Sequence, residues 1–195
     1  QLFVASRMVE IMSDSKILQH HTDCNRVQDP YSFRCIPQVH GPVQESFQKL
    51  IETVSIELNS STDNPLIFPT PENPGSHEVV SQGNFHAEVL ALVADAMSLG
   101  LFELSSISER RIDQMLDPAR RAIRPFLAEN PGLESGLMIV QYVAAASLGE
   151  LRGHANPRTA FSTTTSAGQE DHVSMGATAS WNLLEAIQRC REVLA

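Results

Sequence analysis

From residue 85 to about 116, apolar residues recur every three or four positions without a break: Leu90, Val93, Met97, Leu101, Leu104 and Ile107. That spacing is the period of an α-helix, and some thirty residues at 1.5 Å rise make a rod of about 45 Å. A small self-contained domain has no use for a helix more than twice the ordinary length. Ala91, Leu92, Leu99 and Phe102 place apolar groups on the remaining sides, which predicts neighbours all round, from further polypeptide or from other subunits. Asp117-Pro118 should end the rod, because proline lacks the amide donor and bars helix from the residue before it.

The rest of the chain reads as more helix joined by polar connectors. Residues 1 to about 13 form a helical run that Ser13-Asp14-Ser15 should stop. Val43, Phe47, Leu50, Ile51, Val54 and Leu58 predict a helix launched by Gly41-Pro42 and ended by the cluster Asn59 to Pro65, whose side chains compete for backbone hydrogen bonds. Pro69 to Asn84 predicts a long surface loop, and the stretch after Asp117 another connector, with Arg120, Arg121 and Arg124 as a solvated face or subunit contact. Leu137 to Gly153 is apolar around most of its circumference, hence expected at the centre of a bundle. On such a helix Glu150 must pair with Arg152 or another cation, or be kept for chemistry. Leu183, Ile187, Cys190 and Leu194 predict a final helix opened by the Ser/Thr-rich loop 162–172. The expected fold class is all-α, a bundle of long helices, and aromatics at only 6% suit it better than a sandwich.

A net charge of −9 argues against a nucleic-acid footprint. Three cysteines without CxxC spacing argue against a disulfide framework, and no apolar run reads as membrane-spanning, so a cytoplasmic setting is expected. His20, His21 and Cys24 have a spacing that metals use, but no second ligand pair follows. No metal is expected there, and His77, His86, His154 and His172 read as loop or capping residues. The chain begins inside a helical run and shows no stop signal after Leu194. Residues 1–195 are therefore expected to be a single helical segment of a larger catalytic domain, cut at both ends.

One stretch carries chemistry. Arg26 to Gly41 sets an acid, a phenol and a guanidinium (Asp29, Tyr31, Arg34) close together, with Pro30 and Pro37 fixing the backbone around them. It predicts a rigid, irregular loop between helices. Such a loop is either a ligand-handling segment or a plain connector whose Arg34 caps a carboxylate.

Four longer motifs resemble one family, in order. They are Gln28-Asp29-Pro30-Tyr31-Ser32-Phe33-Arg34-Cys35 with Pro37-Gln38-Val39, Asn59 through Phe68, Gly83-Asn84-Phe85-His86, and Ser166 through Gly176. The family is the aromatic amino-acid ammonia-lyases and aminomutases, with the histidine ammonia-lyase branch most similar, and the resemblance runs from about residue 16 to 178. It implies a nearly all-helical homotetramer that eliminates ammonia without redox chemistry, a carbon-nitrogen lyase; in the histidine branch L-histidine becomes urocanate. It also implies an internal electrophile, methylidene imidazolone (MIO), formed from an Ala-Ser-Gly that lies upstream of the matched region. These 195 residues contain no Ala-Ser-Gly, so the chain alone is expected to be inactive and to need the remainder of the same polypeptide.

By resemblance, Arg34 grips the substrate carboxylate, Tyr31 stands beside the electrophile, Phe85 lies near substrate and prosthetic group, and Gln28 shares the pocket-facing segment. Glu150 aligns with the glutamate of a Ser-Glu-Asn-Lys motif that holds an imidazole or assists proton transfer, although here the motif reads Gly149-Glu150-Leu151-Arg152. Gln169 and Glu170 align with a motif near the active site, and Glu170 reads equally as a charge at a helix start. His40 and Phe161 depart from the histidine branch. The alternatives are a lyase or aminomutase acting on tyrosine or phenylalanine, and a catalytically silent helical assembly module.

Overall fold

The computed structural model describes residues 1–20, 27–119 and 123–195. His21 and Cys24 of the discarded metal reading, and Arg120 and Arg121, lie outside them. The helices are α1 (Leu2–Met12), α2 (Lys16–His20), α3 (Tyr31–Arg34), α4 (Ile36–Glu57), α5 (Glu88–Leu116), α6 (Met138–His154) and α7 (Gly176–Leu194), with a short hairpin of β1 (Leu66–Pro69) and β2 (His77–Val80) between α4 and α5.

The periodic run of residue 85 onward is α5, and it is the axis of the fold, packed against α4, α6 and α7. Its seam is made of small residues. Ala91, Ala94 and Met97 meet Ala179 and Leu183 of α7, with Val43, Leu50 and Leu101 packed on them. Further along, Leu151, Ala186 and Cys190 pack against Leu101, Phe102 and Leu104. Alanines let helix axes approach closely while longer side chains fill the gaps beside them. By length and composition α5 would also pass for a membrane span, contrary to the sequence reading. Its buried Asp95, Ser98, Ser105, Glu109 and Gln114 mark it instead as the core helix of a bundle. Asp95 shows how a carboxylate is kept there: it accepts from the Arg158 and Thr159 amides and the Thr159 hydroxyl, all at 2.9 Å.

Several expectations need correction. The helix expected from Gly41 starts at Ile36, so Ile36 is helical although proline follows it. Pro37 falls in the first turn, where an amide donor is not required, and Pro42 lies inside the helix. Gly41 earns its place sterically, since a Cβ there would lie 2.8 Å from the Gln1 backbone. The expected surface loop from Pro69 contains β2, whose residues His77 to Val80 pair antiparallel with Pro69 to Leu66.

The final helix is α7, and its buried apolar side chains are Ala179, Leu183, Ala186, Cys190 and Val193, while Ile187 and Leu194 of the predicting period are exposed. The face expected of α6 needs correction as well. On α6 only Ala144, Ser147, Leu148 and Leu151 are buried, whereas Ile139, Val140, Tyr142 and Val143 are about half exposed. The helix expected at the centre of a bundle is covered on one side only within this chain.

Candidate active site

Within the expected irregular loop, Tyr31-Ser32-Phe33-Arg34 is one helical turn, α3, ahead of α4. Pro30 presets the backbone, and its carbonyl accepts from the amides of Phe33 at 3.0 Å and Arg34 at 3.2 Å. The turn is fastened to α5 by Arg111, whose Nε donates to the Ser32 carbonyl at 2.8 Å. Arg111 Nη2 also lies 2.9 Å from Nε2 of His40. A guanidinium only donates, so that imidazole nitrogen accepts and His40 is neutral. Burial first, and the Arg111 charge second, hold His40 below its usual range.

Tyr31 and Arg34 emerge on the open side of this turn. The Arg34 guanidinium sits 4.8 Å from the centre of the Tyr31 ring, a stacking that limits its rotamers while leaving its donors available. With Gln28, Gln114 and Ala119 they line a cavity of about 480 Å³. Gln114 is only 6% exposed and Arg111 half-buried. Neither was found from sequence, because nothing local relates Arg111 to Ser32, 79 residues earlier.

Phe85 lies at the other end of α5. It lines a second cavity of about 260 Å³ with Val54, Leu58, Asn84 and Leu90. The loop carrying Gln169 and Glu170 reaches this same end, because Nε2 of His86 lies 3.0 Å from the His172 carbonyl. Gly176 lets α7 begin directly against α5, since a Cβ there would be 2.7 Å from that of Ala87. Glu170 accepts from the Thr165 hydroxyl at 2.6 Å. Side-chain hydrogen bonds from Thr165 and Ser166 hold its carboxyl below the usual range, so it is a charged acceptor at neutral pH.

Glu150 joins neither group. Its side chain is 60% exposed and its Oε2 lies 2.7 Å from Arg189 Nε of α7, so the expected burial does not occur and the partner is not Arg152. Sequence distance alone separates the other two groups: from Glu88 to Arg111 along α5 is about 35 Å at 1.5 Å per residue. The structure therefore brings Gln28, Tyr31 and Arg34 together, brings Phe85 and Gln169 to one opposite end, and leaves Glu150 midway. No single substrate the size of an amino acid spans both ends of one chain.

A bundle of long helices, with a guanidinium and phenol presented at one end of its axis and an aromatic at the other, defines a helical assembly whose polar sites sit at helix ends. The chain belongs to the aromatic amino acid lyase family, whose profile matches residues 1–195. Among curated relatives it is 46% identical to the histidine ammonia-lyase of Bacillus mycoides, over all of this chain and 37% of that one. Among solved structures it is similar to histidine ammonia-lyase from Trypanosoma cruzi, with a TM-score of 0.78 and 41% identity over 86% of this chain and 33% of that one. The Pantoea agglomerans phenylalanine aminomutase gives a TM-score of 0.82 at 30% identity, over 99% of this chain and 41% of that one. The chain spans 36 to 38% of the length of the curated relatives it matches.

Proposed function

We propose that this chain supplies two separate parts of a histidine ammonia-lyase active site, acting on L-histidine to give urocanate and ammonia. The observation that carries this reading is the Tyr31–Arg34 turn: no hydrogen bond among the described residues engages the Tyr31 hydroxyl, the Gln28 amide or the Arg34 guanidinium, although Arg111 holds the turn beneath them in place. Rigid support under uncommitted donors is what a binding site needs. The 46% identity to a histidine ammonia-lyase, against 30% to the aminomutase, favours the histidine substrate over phenylalanine or tyrosine.

The donor set also fits the MIO group that the resemblance implies. A phenol and a carboxamide suit a ring rich in carbonyl oxygens, and Tyr31 and Gln28 are the residues that would hold it. When bound, that group supplies an electrophilic carbon, which makes loss of the amine and the β-proton feasible. The residues of this chain do the rest. Arg34 forks onto the substrate carboxylate and fixes the α-carbon, and the Tyr31 phenol directs a proton or hydrogen bond at the reacting end. At the other half-site Phe85 packs against the ring, and Gln169 with the charged Glu170 offers acceptors for an imidazole N–H.

Because these halves lie about 35 Å apart along α5, the site closes only when another copy brings its Phe85 end to this chain's Arg34 end. The exposed apolar faces of α5, α6 and α7, including Leu92, Leu99, Val140, Val143, Trp181 and Leu184, support a homo-oligomer, for which we infer a tetramer. The free thiols of Cys35 and Cys190 support a cytoplasmic setting. The test is product formation by the full-length protein from L-histidine, L-phenylalanine and L-tyrosine in parallel. Urocanate alone is the expected result; cinnamate or coumarate would move the protein to another branch, and no product would sink the lyase reading.

A further inference from the structure

We infer that His86, Glu88 and His172 form a binding site for one divalent transition-metal ion of the zinc class, at the N-terminal end of α5. A ring nitrogen from each histidine and a carboxylate oxygen of Glu88 all lie within 4.8 Å of one another. Among the described residues, no hydrogen bond or ion pair joins Glu88 to either imidazole. The three groups are thus too far apart to satisfy each other and close enough to share an ion at about 2.0–2.2 Å from each after small side-chain adjustments.

Three further observations point to a ligand. Oε2 of Glu88 is shielded from solvent and has no hydrogen-bond partner, an arrangement that costs stability unless something positive meets it. A charge at a helix start explains the residue type but not a buried, unpartnered oxygen. Second, His86 Nε2 faces the His172 carbonyl at 3.0 Å. A backbone carbonyl on one ring nitrogen is the usual support of a metal-binding histidine, because it fixes the tautomer and turns the other nitrogen's lone pair outward. Third, the donors come from two segments that α5 and α7 hold rigidly, since Gly176 packs on Ala87 beside them. The rings of His86 and His172 lie 5.6 Å apart and tilted by 33°, so they are neighbours without being parallel.

Two imidazoles and a carboxylate select zinc, cobalt or nickel over magnesium or calcium, which take oxygen donors. With three protein ligands a fourth position stays open for water or another group. One bound ion would also tie the start of α5 to the loop that precedes α7.

The experiment is a titration of the metal-free full-length protein with Co²⁺, read by its visible d–d absorption, followed by Zn²⁺ competition. The expected result is saturation at one ion per chain and displacement by Zn²⁺. Affinity should fall by roughly tenfold or more in each of Glu88→Gln and His172→Gln, because loss of a ligand costs at least as much as loss of an outer-shell partner. His77→Gln, on the hairpin, should bind like the parent. Far-ultraviolet circular dichroism identifies a variant that has failed to fold, and the remaining variant then decides. Absence of saturable cobalt absorption, or binding that survives both folded substitutions, overturns the site.

Discussion

The two ends of α5 are built differently although both carry family motifs. At the C-terminal end, the Tyr31–Arg34 turn is braced from below by Arg111 on the Ser32 carbonyl, and the Tyr31 and Arg34 side chains are exposed. At the N-terminal end, Phe85 sits among loops held by backbone and amide contacts, such as Asn84 Nδ2 to the Ser61 carbonyl at 2.9 Å and the His86 contact to His172. The first end is a rigid pedestal for a charge. The second is a wall assembled from three loops, suited to enclosing a ring. On the proposed reading each end is one half of a site, and the rod between them keeps the halves of one chain apart.

The largest difference between the two ends is expected at Arg34. Arg34→Ala should lower kcat/KM for the preferred amino acid by about 100-fold, near 3 kcal/mol, because a charged two-pronged contact is lost. Arg34→Lys should recover little of it. A smaller but more telling effect comes from mixing. If the two ends serve one site across copies, unfolding and co-refolding Arg34→Ala with Phe85→Ala protein should restore activity about tenfold above either parent. No recovery in assemblies shown to be mixed would mean that each end works within its own chain.

Arg111→Ala should raise KM by about tenfold with a lesser change in kcat, as expected of a residue that positions Arg34 without touching substrate. Steady-state kinetics at a series of histidine concentrations would separate the two. A weaker signature lies in pH. His40 is held below its ordinary value of 6.5 by burial and then by Arg111, so the unfolded chain takes up that proton first. The neutral His40 contribution is complete above about pH 6.5 and declines as pH falls below it toward the folded value. Melting temperatures should therefore drop more on acidification in the parent than in His40→Gln. Smallest of all, Glu150→Gln should leave kcat/KM within about twofold, because Glu150 pairs with Arg189 of α7 away from both ends of α5; a large loss would return Glu150 to the chemistry.

Much of the architecture was legible. The α5 period marked its length and its need for neighbours, and Asp117-Pro118 marked its end. Misreadings had definite causes. Proline reads as a helix boundary at Pro37 and Pro42, but the first turn of α4 needs no amide donor at Pro37, and Pro42 lies inside the helix. The period of large residues marks α7 as a helix but does not show its buried face, because packing there uses Ala179 and Ala186, whose small size brings α5 and α7 together. The hairpin is four residues per strand, too short to leave a readable alternation.

By itself, the order of amino acids determined the helical class, the axis of the bundle and the motif residues Gln28, Tyr31, Arg34, Phe85 and Gln169, because periodicity and short motifs are local properties of a chain. Only the tertiary structure decided which of these residues meet. It put Arg111 under the Tyr31 turn, paired Glu150 with Arg189, drew His172 to His86, and set Phe85 a helix length away from Arg34. Those relations depend on contacts between residues tens of positions apart, and such contacts arise from how helices pack rather than from the spacing along any one of them.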